Sequence, residues 1–134
     1  MSAKSYRRIM PGKGSMYARQ CHEGGFIGAH WGFETDLTGQ FSEEWRDFNH
    51  RFRPVYLANN PGKSMVAAGL ACGMLWTICK GMQTGDVVLS PDGEGGYFAG
   101  EVASEYYFAA GEILPQRRRG SWFPKRLAKS EMSE

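Results

Sequence analysis

Four aromatic residues and two basic runs carry the chemistry this sequence offers. Trp31 stands in the polar context His30-Trp31-Gly32, and Trp122 follows the triple Arg117-Arg118-Arg119. Phe26 and Tyr97 open short apolar runs behind paired glycines. Aromatic faces beside guanidinium groups can stack a nucleobase while its phosphate is held. A pocket for a base turned out of its helix needs two flat walls and a few hydrogen bonds to the base edge. Trp31 or its neighbour Phe26 is expected as one wall and Trp122 as the other, with Tyr97 nearby. Asp36, in Thr35-Asp36-Leu37, is expected to accept from an exocyclic amine. Trp45 and Trp76 fall at helical spacing among apolar residues and are assigned to the core.

The phosphate-binding candidates are Arg7, Arg8, Lys13 and Ser15 near the start, and Arg117, Arg118 and Arg119 near the end. Residues 1–20 and 117–129 contain no acid and together hold 11 of the 16 Lys and Arg residues, although the net charge is only +2. Strands bearing these runs, if neighbours in a closed sheet, would make one positive face of the kind that meets nucleic acid. Gly12-Lys13-Gly14-Ser15 is a short glycine loop opening a helix, where free amides could meet a phosphate.

Other chemistries find no support in the spacing. Pro91-Asp92 with Glu101 approaches a metal-dependent nuclease pattern, which would need Lys where Ala103 stands. His22, His30 and His50 are scattered, and no order of Ser, His and Asp suggests a triad. Gly62-Lys63-Ser64 imitates a phosphate loop, but the full motif needs glycine at Leu57; a helix start able to hold one phosphate oxygen remains. Gly93 to Gly100 reads as a hairpin rather than a dinucleotide fingerprint. Cys21, Cys72 and Cys79 are odd in number and form no Cys-x-x-Cys, so buried reduced thiols are expected, with no metal and no cofactor.

The elements that must position these residues follow from caps and periodicity. With 134 residues, 42% of them hydrophobic and 18 of them glycine, the chain suits one domain with many tight turns. No apolar run is long enough to span a bilayer and no apolar signal core follows Met1, so a cytoplasmic location is expected. Ser5–Met10 reads as a strand, and Ser15 as the cap of a helix over 16–22 closed by Gly24-Gly25. Phe26–Trp31 reads as a second strand. Ser42 is expected to start a helix with Glu43 and Glu44 in its first turn and Trp45, Phe48 and Phe52 facing inward. Pro54–Leu57 reads as extended. Ser64 caps a helix over 65–80, apolar nearly all round and therefore expected to be deeply packed. Gly85–Leu89, Tyr97–Val102 and a strand ending at Trp122 complete the order β-α-β-α-α-β-β-β. This is an α+β class, a curved sheet or small barrel with helices across its openings.

The chain also resembles the EVE-like reader domain, of the PUA and YTH superfamily, found at the N-terminus of modification-dependent restriction endonucleases. The residues that carry the resemblance begin with Tyr6-Arg7-Arg8-Ile9-Met10-x-Gly12-Lys13, Gly24-Gly25-Phe26-Ile27-Gly28-Ala29 and Asp36-Leu37. Pro54 to Asn59, Ala67 to Trp76, Gly85-Asp86-Val87-Val88-Leu89 and Arg117-Arg118 to Trp122 complete the set. It implies a PUA-like pseudo-barrel of about five to six strands and about three helices over residues 1–124, with 125–134 a polar tail or the start of a linker. It implies recognition of a modified cytosine, such as 5-methylcytosine or 5-hydroxymethylcytosine, by base flipping in double-stranded DNA. The module would itself perform no bond chemistry, and a fused or separate nuclease domain would be its partner. Trp122 matches a cage tryptophan of YTH domains, whose second cage tryptophan falls where this chain has Phe26, Ile27 and then Trp31. That leaves open which aromatic forms the second wall. A YTH-like reader of methylated adenine in RNA or DNA is the alternative, and a protein-interaction module a third reading. The piece is expected to be either a shortened chain or a stand-alone reader.

Overall fold

A computed structural model describes residues 6–128. The fold is α+β, with three α-helices and a seven-stranded mixed sheet. The strands are β1 (Tyr6–Arg8), β2 (Phe26–Ala29), β3 (Val87–Pro91), β4 (Gly96–Val102), β5 (Tyr107–Phe108), β6 (Gln116–Trp122) and β7 (Leu127–Ala128). They run in the order β1-β3-β4-β6-β2, with β5 on β6 and β7 on β4. Only the β1–β3 pair is parallel, with Tyr6 opposite Val87. The three late strands and the first two thus share one sheet, as their spacing predicts. Residues 127–128, which the sequence places in the tail, contribute a short strand. Ile9, just after β1, and Ile27 and Gly28 of β2 line one void of about 10 Å³. The sheet therefore curls until its two unpaired ends approach each other.

The first helix, α1 (Ala18–Gly24), ends where Gly25 takes φ 69° and its amide bonds the Cys21 carbonyl. A residue without Cβ suits that left-handed turn. Ser15 does not cap α1. It sits buried in a 3-10 turn over Lys13–Ser15 at φ 61°, and Tyr17 occupies the capping position. Helix α2 (Trp45–Asn59) starts after Glu44, and the Ser42 hydroxyl donates to Asp47 instead of capping.

Two expectations about α2 need correction. Pro54 does not end it: Pro54, Val55, Tyr56 and Leu57 are helical. Proline gives up one backbone bond there, and burial of Phe48, Asn49 and Tyr56 on one face outweighs that loss. Trp45 is 45% exposed with the Arg46 guanidinium 5.2 Å above its ring, so it is not a core residue. The helix begins at Trp45, and the buried stripe starts three residues later.

Helix α3 (Met65–Trp76) is capped as expected, the Ser64 hydroxyl accepting from the Ala67 amide. It runs on into a π-helical turn over Thr77–Gly81. Ala68, Ala71, Cys72 and Leu75 are buried at helical spacing and join Ile27, Val88 and Val102 of the sheet in the main core. The opposite face is not packed: Val66 and Leu70 are 73% and 69% exposed. An apolar surface all round therefore does not mean burial all round here. Small residues instead let α2 come close, and the buried Asn49 side chain donates to the Gly69 carbonyl at 2.8 Å.

Candidate nucleic-acid interface

The triple arginine is mostly spent inside the fold. β6 is buried over its first three residues because β2 and β5 flank it there, before it passes to β4. Arg118 is 1% exposed. Its guanidinium donates to the carbonyls of Ser104 at 2.6 Å, Ile78 at 3.1 Å and Met82 at 2.7 Å. Burial draws its pKa down from the usual arginine range. Arg117 donates to the carbonyls of Leu114 and Ile113 and lies 3.6 Å over the Phe26 ring. Only Arg119 is exposed, beside Tyr107. Arg117 and Arg118 are therefore corrected from phosphate contacts to internal ties. The two basic runs do not lie on neighbouring strands: β3 and β4 stand between β1 and β6 in the strand order, and β2 stands between them across the curl. Arg7 and Arg8 are exposed on β1, with Arg8 5.7 Å from the Tyr97 ring centre.

The expected aromatic cage does not assemble either. Trp122 is half-buried, donates its indole N–H to the Cys21 carbonyl at 3.0 Å, and lines the 10 Å³ void. Phe26 is 5% exposed and covered by Arg117. Tyr97 stands in β4 opposite Pro91 and Leu127. Asp36 accepts from the hydroxyl and amide of Thr38, at 2.6 and 2.9 Å. Those bonds hold its carboxyl below the usual range, which suits a turn acid already supplied with donors.

Trp31 and Lys13 are brought to one cleft. Both line a cleft of about 570 Å³ at the curled end of the sheet, a size typical of small-molecule and cofactor sites. One wall is the loop after β1, with Met10, Lys13 and Met16. The second is the end of β2 with His30 and Trp31. The third comes from the end of α2 and the start of α3, with Tyr56, Asn60 and Lys63.

Local geometry fixes the Trp31 wall. His30 to Phe33 form a tight turn in which the Phe33 amide bonds the His30 carbonyl at 2.9 Å. Trp31 at φ 47° and Gly32 at φ 80° occupy its centre. A bulky side chain is a genuine outlier there, and each such residue costs about 1–2 kcal/mol. The end of α2 holds the turn in place: the Asn60 amide group donates to the Trp31 carbonyl at 3.0 Å, and that of Asn59 to the Gly32 carbonyl at 3.0 Å. The other left-handed non-glycine residues among those described are Leu114 at φ 44°, which also lines the cleft, and Ser15 at φ 61°, in the loop of the first wall. Backbone strain concentrated around one cavity points to a site whose shape is fixed before a ligand arrives.

The cleft carries positive charge without deep burial, since Lys13 and Lys63 are both exposed. His30 has its Nε2 3.2 Å from a Glu34 carboxylate oxygen. Among the described residues, no group of three or more His, Cys, Asp or Glu could hold a metal ion, and no helix is long and apolar enough to cross a membrane. Lys63 was visible in the sequence as a lysine at a helix start. Asn59 and Asn60 were not, because Asn-Asn-Pro-Gly reads as an ordinary loop. Met10 and Met16 carried no signal beyond being apolar. No family model, curated protein or solved structure matches the chain.

Proposed function

We propose that the chain is a PUA-like reader that takes a modified base, flipped out of double-stranded DNA, into the cleft walled by Trp31. The observation that carries this reading is the strained Trp31 turn, clamped by Asn59 and Asn60 into the wall of a 570 Å³ cleft that also presents Lys13 and Lys63. Its parts suit the capture of a base. They offer a flat apolar wall for stacking, amphipathic and polar neighbours for the base edge, and two cations for flanking phosphates. Trp122, Phe26, Asp36 and Tyr97 leave the pocket assignment. Trp31 stays in it, Lys13 stays a phosphate contact beside it, and Lys63 and Asn60 join. A modified cytosine is the base class proposed, and the chain recognises it without bond chemistry of its own.

Trp31→Ala tests this on duplexes with and without a single 5-methylcytosine or 5-hydroxymethylcytosine. Stacking on an aromatic side chain contributes about 1–3 kcal/mol per base, so affinity for the modified duplex should fall roughly ten- to hundred-fold. Weak binding to the plain duplex should persist. Equal binding of wild type and variant to the modified duplex, with an unchanged melting curve, would remove Trp31 and this reading together.

A further inference from the structure

The loop that forms the first wall of the cleft presents two large apolar side chains to solvent. Met10 is 49% exposed and Met16 is 61% exposed, and both line the cleft mouth. Between them in the chain stands the exposed Lys13. The loop is closed on itself. The Gly12 amide bonds the Met10 carbonyl at 3.0 Å, Ser15 bonds Gly12 at 3.1 Å, Met16 bonds Lys13 at 3.2 Å, and Tyr17 bonds Pro11 at 2.9 Å. Gly12, at φ 83°, has no room for a larger residue, because a Cβ there would stand 2.6 Å from the Tyr17 ring. A rigid backbone thus carries a cation flanked by two flexible, polarisable thioethers.

We propose that Met10 and Met16 form a wedge that enters the base stack of duplex DNA when the cleft takes up the flipped base. The inference rests on the reading of the cleft as a base pocket and adds how the duplex is opened. Extruding a base leaves its neighbours unstacked, and apolar side chains such as methionine are suited to fill such gaps. Lys13, on the same loop, lies where it can hold the phosphate beside the opened step. The wedge acts on the duplex and the cleft acts on the base. A strand that is already single needs the cleft alone.

The double variant Met10→Ala/Met16→Ala separates the two. Its binding is measured on a duplex bearing one 5-methylcytosine and on the same modified strand without its complement. Both side chains are exposed, so the melting temperature should stay that of wild type. The expected result is a loss about ten-fold greater on the duplex than on the single strand, from the unstacking that is no longer offset, the single strand losing only what the two side chains contribute as cleft wall. Equal loss on both forms would make the methionines ordinary pocket walls, and no loss on either would leave them without a role; each overturns the wedge. Loss on the single strand alone would do the same and favour a single-strand reader. Trp31→Ala, run beside it, should weaken both forms. If wild type binds neither form, the reading of the cleft falls, and the wedge with it.

Discussion

Replacing Arg118 distinguishes a structural arginine from a DNA-binding one, because its sequence context and its surroundings suggest opposite outcomes. Its guanidinium serves three carbonyls, those of Ser104, Ile78 and Met82. In Arg118→Ala each of those acceptors loses a charged donor, at about 1–3 kcal/mol apiece. Relief of the desolvated charge offsets part of that sum, while the cavity left by the side chain adds to it. The net expectation is a loss of about 3–5 kcal/mol, a large share of the 5–15 kcal/mol typical of a domain. With a urea dependence of roughly 1–3 kcal/mol/M, the unfolding midpoint should drop by about 2 M. Arg118→Met keeps more of the volume and should lose somewhat less. Arg119→Ala, at an exposed position, should stay within about 0.5 kcal/mol of wild type. Urea titration followed by tryptophan fluorescence checks all three. If Arg118→Ala unfolds at the wild-type midpoint yet binds plain and modified DNA more weakly, the internal tie is refuted and the phosphate contact restored.

Two further outcomes follow from the geometry. Burial pushes the Cys72 thiol up to about 11 and the Cys21 thiol up to about 12, raises Cys79 as well, and takes the Tyr106 hydroxyl up to about 12. Above pH 9 the unfolded chain releases protons that the folded chain keeps, so stability should fall as pH rises. Each such group contributes about 1.4 kcal/mol per pH unit within its window. A urea midpoint under reducing conditions that stays flat from about pH 8.5 to 10.5 would contradict the burial of these thiols. Asn60→Ala removes the donor to the Trp31 and Tyr56 carbonyls. It should lower stability by about 1–2 kcal/mol and weaken modified-duplex binding beyond that of plain duplex, as gel shifts and melting curves on the same samples would show.

What the sequence revealed was the part written in local chemistry. Ser64 at the start of α3, Gly25 at the end of α1 and the Asp92–Gly96 hairpin each act within a few residues of themselves. Spacing therefore placed the helices and the five main strands in their order along the chain, but not their order in the sheet, nor β5 and β7. The faces were harder. Trp45 and Phe48 both fit a helical apolar pattern, and only the packing of α2 on α3 decides that the stripe begins at Phe48. Pro54 broke a local rule because tertiary burial of Tyr56 outweighed it. Arg118 misled for a similar reason: its partners are the carbonyls of Ile78 and Met82 after α3 and of Ser104, distant in sequence; Arg117 bonds carbonyls only three and four residues before it, but no local pattern announces an acceptor. For the site, Lys13 and Trp31 were legible by residue type. Their shared cleft was not, since it depends on the curl that brings the loop after β1 beside the end of β2, and on two asparagines whose function is to hold a carbonyl.

The parallel pairing of β1 has a kinetic consequence. Tyr6 finds its partner only at Val87, and Phe26 finds its partner only at Arg119. Both outer strands therefore wait for partners from Val87 onward, β2 for β6 in the last third of the chain, and the loop-closure entropy must be met before either pairing returns anything. On a ribosome, the first 80 or so residues emerge with α1, α2 and α3 able to form but with no sheet to receive them. The core that Ala68, Cys72 and Leu75 of α3 join stays incomplete until Val88 of β3 and Val102 of β4 arrive. Folding of this domain is thus expected to be a late event, completed from its C-terminal strands, and a fragment that stops before β6 would leave β2 without its partner.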